Sequence, residues 1–156
     1  MAKGRVQPEQ VVGRLGHDEM AVLTSTDRGG QPHLSTVSWY RGRLPDAVDL
    51  IVGRTARFLK NIEARPAATM LVFLETAYAL AGTADIIVRD IPDMPIPLTL
   101  VRLKIESVYE ALFTGAELLG GPRYRKEYPE KLKDLDQIVD AYFDVVPESV
   151  PTRPLH

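Results

Sequence analysis

Short runs in which apolar and polar residues alternate, separated by turn residues, dominate the middle of this chain. Alternation with a period of two is typical of strands with one buried face, and β-branched and aromatic residues are frequent in these runs. We predict six strands, at residues 19–26, 32–40, 48–52, 67–74, 78–89 and 98–113. The first two flank the sequence DRGG, a strong turn signal, so we expect them to form a hairpin.

Three other segments carry apolar residues at helical spacing. They are residues 8–15, 56–65 and 129–143. Thr55 is the predicted N-cap of the second helix, and Pro66 ends it because the residue before a proline avoids the helical region. In the third helix the acidic residues lie on the polar face, where we expect them to meet water.

This order of elements predicts a mainly β fold with peripheral helices. Closing six antiparallel strands into a barrel removes exposed sheet edges, whereas the sequence does not alternate strand and helix as a doubly wound nucleotide-binding fold would. The segment 41–47 contains Gly42 and Pro45, the segment 91–97 contains three prolines, and both are predicted loops. We expect one domain over residues 1–146 and a proline-rich tail, loose or lying on the surface, over residues 147–156.

Composition narrows the classes of partner. Nineteen basic and 21 acidic residues give a net charge of −2, so no strong field favours nucleic acid or an anionic membrane. The chain has no cysteine, and its three histidines, His17, His33 and His156, show no metal-ligand spacing. We expect a soluble cytoplasmic protein without a metal, whose ligand is a small molecule and which binds neither nucleic acid nor membrane.

The segment 53–61 (GRTARFLKN) passes from a strand end into a helix N-terminus. Free backbone N–H groups and the helix dipole make such a place suitable for an anion. Arg57 and Lys60 are three residues apart and share a helix face, so both cations can reach a phosphate there. A solvated basic helix face is the alternative interpretation.

A second candidate is the strand segment Ser35-Thr36-Val37-Ser38-Trp39, which combines three hydroxyls with one aromatic side chain. Such a strand can line a polar pocket with an apolar wall. The alternative is that the hydroxyls face solvent and that Trp39 belongs to the core. The loop residues Arg123, Tyr124 and Arg125 likewise form either the edge of a ligand site or a plain surface loop.

The order of these pieces resembles the FMN-binding split barrel of the pyridoxamine 5′-phosphate oxidase family. The matching segments are MAVLTSTDRGGQPHLSTVSW, IVGRTARFLKNIEARPAATMLVF and YALAGTADI, and LTLVRLKIESVYEALFTG resembles the long strand that follows. The resemblance implies a six-stranded antiparallel split barrel. It also implies a homodimer with one flavin mononucleotide (FMN) in each of two clefts at the interface.

The resemblance also implies cofactor contacts for nine residues. The strand 35–38 would follow the flavin ring and ribityl chain, the backbone at 52–53 would contact the cofactor, and Arg57 would bind the phosphate with support from two neighbours. The implied FMN-binding residues are Ser35, Thr36, Val37, Ser38, Val52, Gly53, Arg57, Lys60 and Asn61.

The chain departs from the oxidase itself at three places. Ser35 and Tyr40 stand where the oxidase has basic residues, and the tail lacks its Arg-x-His substrate motif, which argues against pyridoxamine phosphate oxidation. Our leading hypothesis is an FMN-dependent oxidoreductase acting on a small molecule, in which the cofactor carries the chemistry and no catalytic side chain stands out. The alternatives are a non-catalytic flavin-binding or sensor protein and a deazaflavin-dependent reductase, and related barrels also bind haem.

Overall fold

The computed structural model describes residues 5–16 and 19–148. The predictions for His17, His156 and most of the tail fall outside these residues. Eight strands are present in the described ranges: β1 (Arg5–Val6), β2 (Ala21–Thr26), β3 (Pro32–Val37), β4 (Tyr40–Arg43), β5 (Ala47–Gly53), β6 (Ala67–Phe73), β7 (Ala77–Val88) and β8 (Leu98–Glu110). The helices are α1 (Glu9–Val12), α2 (Arg57–Ala64) and α3 (Leu135–Phe143), with a 3-10 turn at Glu130–Leu132.

All the strands belong to one antiparallel sheet with the order β3-β2-β6-β7-β8-β5-β4, and β1 pairs with β8. The sheet curls until β3 contacts β5. Between β3 and β4 the chain bridges the two ends of the sheet, and the Ile51 amide donates a hydrogen bond to the Trp39 carbonyl at 3.0 Å. The predicted mainly β split barrel is confirmed, with eight strands in the described residues rather than six.

The extra strand β4 lies in the predicted loop at 41–47, which is a correction. The predicted strand 32–40 ends at Val37, and Tyr40 begins β4 and pairs with Leu50 of β5. This path requires glycine at position 42, because a Cβ there would lie 1.7 Å from the Val12 carbonyl oxygen of α1. The close approach of β4 to α1 therefore leaves no room for a side chain at position 42.

The helix boundaries also differ from the prediction. Residues 53–56 form a hydrogen-bonded turn, in which the Ala56 amide donates to the Gly53 carbonyl, so α2 begins one residue late and its N-cap is Ala56 rather than Thr55. The first predicted helix ends early because the amides of Arg14 and Leu15 bond carbonyls three residues back, as in turns. The predicted helix at 129–143 is divided into the 3-10 turn and α3. Within the described residues no helix has both the length and the apolar character needed to cross a membrane.

Two apolar clusters stabilise the barrel. On β8, Val101, Leu103 and Ile105 face the interior, as the alternating pattern predicts. The opposite face of β8 carries Leu98 and Leu100, which α3 covers together with residues from β5 and the loop at 91–97. Packing on this face brings α3 close to the bend between β3 and β4.

A buried ion pair crosses the outer face of the sheet. Asp49 of β5 and Arg102 of β8 are register partners, and their side chains are 4% and 6% exposed. The Arg102 Nε donates to Asp49 Oδ1 at 2.7 Å, and its guanidinium also donates to the carbonyls of Pro147 and Glu148. The first two residues of the predicted tail, Pro147 and Glu148, thus lie against the sheet.

Candidate functional site

A cleft of about 420 Å³ opens where β3 and β5 end, and we call it the main cleft. Its walls come from the strand ends, the start of α2 and the loop before the 3-10 turn. The lining residues are Met20, Ser35, Thr36, Val37, Ser38, Trp39, Ile51, Val52, Gly53, Ala56, Phe58, Tyr124, Lys126 and Tyr128. Six of the nine predicted cofactor-binding residues, at 35–38 and 52–53, therefore share one cleft.

The segment 35–38 runs from the end of β3 into the bend that follows, and all four of its residues line the main cleft. Val37 is buried, Ser35 and Ser38 are half-buried, and Thr36 is exposed. Among the described strands β3 is hydrogen-bonded only to β2. The strand therefore offers hydroxyl groups beside apolar wall residues, which is the composition of a small-molecule site.

The other three predicted residues line a second cleft of about 480 Å³, together with Asp27, Arg28, Gly29 and Glu63. We call it the basic cleft, because three cations outnumber two carboxylates there, and one of those carboxylates, Glu63, is paired with Arg89. Arg57 and Lys60 are exposed there. Asn61 is only 5% exposed, and its Nδ2 donates to the Ser25 Oγ at 2.9 Å, so its amide joins α2 to β2. This contact gives Asn61 a structural role.

The two clefts adjoin at the N-terminus of α2. Ala56 and Phe58 line the main cleft, and Arg57 between them lines the basic cleft. The N-cap Ala56 supplies no side-chain hydrogen bond to the helix, so a bound anion can satisfy the first-turn N–H groups. A ligand with a flat ring and a phosphate could therefore use both clefts.

A hydrogen-bonded network that the sequence analysis missed forms one wall of the main cleft. The Asp136 Oδ1 of α3 accepts hydrogen bonds from Trp39 Nε1 at 2.8 Å, Lys126 Nζ at 3.0 Å and Tyr128 Oη at 2.8 Å. Burial raises the pKa of Asp136, but these three donors together outweigh burial and lower it below the ordinary value. Asp136 was predicted to meet water, and this is wrong because the carboxylate is half-buried under these donors.

The same wall combines a cation with aromatic rings. Lys126 Nζ lies 5.6 Å from the Trp39 ring centroid and 5.8 Å from that of Tyr124, within cation–π range. Two interpretations were open for Trp39, a pocket wall and a core position. The structure places this side chain both on the main cleft and against the apolar cluster that α3 covers. Of the loop at 123–125, Tyr124 lies on the main cleft. Across residues 5–16 and 19–148, no group of three His, Cys, Asp or Glu side chains could hold a metal ion.

Comparison with known proteins relates the fold to solved structures. No sequence model of a protein family matches this chain, and no curated protein sequence matches it. The HupZ structure of Group A Streptococcus matches with a TM-score of 0.57 and 18% identity, over 70% of this chain and 97% of that one. A candidate pyridoxamine 5′-phosphate oxidase of Lactobacillus delbrueckii matches at 0.55 and 19%, over 69% and 98% of the two chains.

A third solved structure is HutZ, a heme storage protein of Vibrio cholerae, with a TM-score of 0.52 and 13% identity over 67% of this chain and 95% of that one. These matches extend over nearly the whole of each solved chain. This chain therefore has the split-barrel fold of the pyridoxamine 5′-phosphate oxidase-like proteins.

Proposed function

We propose that this protein binds FMN, with the flavin ring in the main cleft and the phosphate at the basic cleft, and that it transfers electrons or hydride to or from a small molecule. The observation that carries this proposal is the junction of the two clefts at α2. An apolar cleft with hydroxyl groups meets an uncapped helix N-terminus there, beside the exposed cations Arg57 and Lys60. This is the division into ring and anion subsites that FMN requires.

The main cleft suits the flavin ring in size and chemistry. Its volume of about 420 Å³ lies within the roughly 300–1,000 Å³ usual for small-molecule sites. Aromatic and aliphatic walls can contact a flat ring, while the hydroxyls of Ser35 and Ser38 can hydrogen-bond its polar edge or the ribityl chain. When bound, FMN would supply the redox chemistry, and the residues of the chain would orient the cofactor and shield it from water.

The basic cleft suits the phosphate. In the part of the chain that the structure describes, neither Arg57 nor Lys60 forms an ion pair. Their charges are therefore available to a dianion, and Arg57 can donate two parallel hydrogen bonds to phosphate oxygens. Asn61 supports the site only indirectly, since it fixes α2 against β2 through Ser25.

We further propose that two chains associate so that each completes the other's cleft, as the resemblance implies. Leu34 lies on β3 next to Ser35 of the main cleft, and its apolar side chain is 66% exposed. Burial of such a side chain against a second chain would stabilise a dimer. The dimer would then exclude water from the flavin ring.

The test is spectroscopic titration of the purified protein with FMN, haem and a deazaflavin coenzyme in parallel. We expect saturable binding of FMN, followed by reduction of the bound cofactor with a nicotinamide donor and its reoxidation by an acceptor. Tight haem binding with no binding of FMN would overturn the proposal in favour of a haem-binding protein. Binding of FMN without any reduction or acceptor turnover would retain the cofactor and exclude the oxidoreductase.

A further inference from the structure

Lys126 gives the aromatic wall of the main cleft a fixed positive charge. Its side chain is 20% exposed, and its ammonium lies 5.6 Å from the centroid of the Trp39 ring and 5.8 Å from that of the Tyr124 ring. Asp136, the counter-ion, does not itself line the cleft, so the cation is the charge nearer to a bound ligand. We propose that Lys126 makes the main cleft selective for aromatic rings that carry negative charge, which for a flavin means the reduced ring.

This inference rests on the proposed function and adds the ionic form of the ligand. An oxidised flavin ring is neutral, and on taking up two electrons and one proton it becomes an anion. A cation in a partly desolvated cleft interacts far more strongly with the anion than with the neutral ring. Lys126 should therefore favour the reduced form and raise the reduction potential of the bound flavin.

Asp136 is the positioning residue of this site. Its Oδ1 atom accepts from Lys126, Trp39 and Tyr128 together, and so fixes the ammonium and the aromatic wall in one arrangement. Its carboxylate also offsets part of the Lys126 charge. Removing the carboxylate charge while keeping an acceptor oxygen, as in Asp136→Asn, should leave the cleft more positive.

The experiment measures riboflavin binding, because riboflavin lacks the phosphate and reports on the ring alone. Affinity is measured anaerobically in mildly alkaline buffer for oxidised riboflavin and for riboflavin reduced with dithionite. In Lys126→Met we expect the ratio of reduced to oxidised affinity to fall about tenfold. For this two-electron couple, that fall lowers the potential of the bound flavin by roughly 30 mV.

Two further variants separate charge from structure. Asp136→Asn should move the ratio in the opposite direction, upward, and Lys126→Arg should preserve it. Lys133→Met is the matched control, because Lys133 is exposed, pairs with Glu130 and does not line the main cleft. It should leave the ratio unchanged.

Each other outcome counts against the inference. An unchanged ratio in Lys126→Met, or a fall in both Lys126→Met and Asp136→Asn, would show that the network only holds the wall in place. If the parent protein binds FMN and riboflavin but Lys126→Met leaves the ratio of reduced to oxidised affinity unchanged, the inference about selectivity is wrong while the proposed function stands. If the parent binds neither flavin, the proposed function is wrong and this inference is overturned with it.

Discussion

Replacing Arg57 with alanine tests the phosphate end of the proposed FMN site. A charge-assisted hydrogen bond contributes roughly 1.5–3 kcal/mol, so the loss of one bond to the phosphate should weaken FMN binding about tenfold to 150-fold. Arg57 is exposed and, among the described residues, forms no ion pair, so the free energy of unfolding should change by less than about 0.5 kcal/mol. Titration of flavin fluorescence with parent and variant protein, for FMN and for riboflavin, gives the two affinities.

Arg54→Ala is the matched control for this experiment. Arg54 precedes Arg57 by three residues, has a half-exposed side chain and forms an ion pair with Asp90. It lines neither cleft, so its loss should change FMN affinity by no more than about twofold. Riboflavin should bind the parent and Arg57→Ala equally. Equal weakening of FMN and riboflavin by Arg57→Ala would refute the assignment of Arg57 to the phosphate, as would FMN affinity that does not change at all.

Three further predictions concern stability and assembly. Arg102→Met leaves the buried Asp49 carboxylate paired with Arg43 and releases the carbonyls of residues 147–148. Because Arg43 still compensates part of the charge, urea unfolding should show a loss near the lower end of the range for breaking a buried pair, about 3 kcal/mol, and a loss under 1 kcal/mol would contradict it. Hydrogen bonds from Arg14 and Tyr78 hold the pKa of Glu75 at about 2, below its ordinary 4.5. Because that pKa is lowered on folding, the parent should exceed Glu75→Gln in stability by at most about 1 kcal/mol above pH 4.5. The difference should disappear as pH falls toward 2, and a difference that instead grew in acid would contradict it. Light scattering should return twice the chain mass of 17.4 kDa, and a monomer at micromolar concentration would exclude the proposed dimer.

Most of the barrel could be predicted because strand periodicity is a local signal. The alternation along β8 predicted which side chains face the interior, and the turn before Gln31 formed as expected, with the Gly30 amide donating to the Asp27 carbonyl. The break at Ser38-Trp39 could not be predicted, because β-forming residues continue through it to Tyr40. Beyond the break the chain pairs with β5 instead of β2, and β4 approaches α1 closely at Gly42, which are contacts between segments distant in sequence.

In the candidate site too, the parts formed by contiguous segments could be predicted, and the part formed by contacts between distant positions could not. The helix start at Arg57 and the hydroxyl strand are contiguous segments, and sequence reasoning identified both as candidates. The Asp136 network joins positions 97 residues apart, Trp39 and Asp136, and the local pattern of α3 showed only an acidic residue on a polar helix face. The basic and aromatic loop at 123–125 was the one nearby signal, and it lay just before Lys126.

The position of the two residues in different clefts implies that affinity for FMN and selectivity for the charge of the flavin ring are controlled separately. Arg57 lines the basic cleft and Lys126 lines the main cleft. In the proposed site, Arg57 would contact the phosphate, and Lys126 would interact with the charge of the ring. The two side chains have no common partner among the described residues, and changes at independent sites add in free energy to within about 0.5 kcal/mol. The double variant Arg57→Ala/Lys126→Met should therefore lose FMN affinity to the extent that Arg57→Ala does and ring selectivity to the extent that Lys126→Met does. Strong non-additivity in flavin titrations would show instead that the phosphate and the ring are recognised by a single coupled structure, in which the α2 N-terminus and the aromatic wall move together.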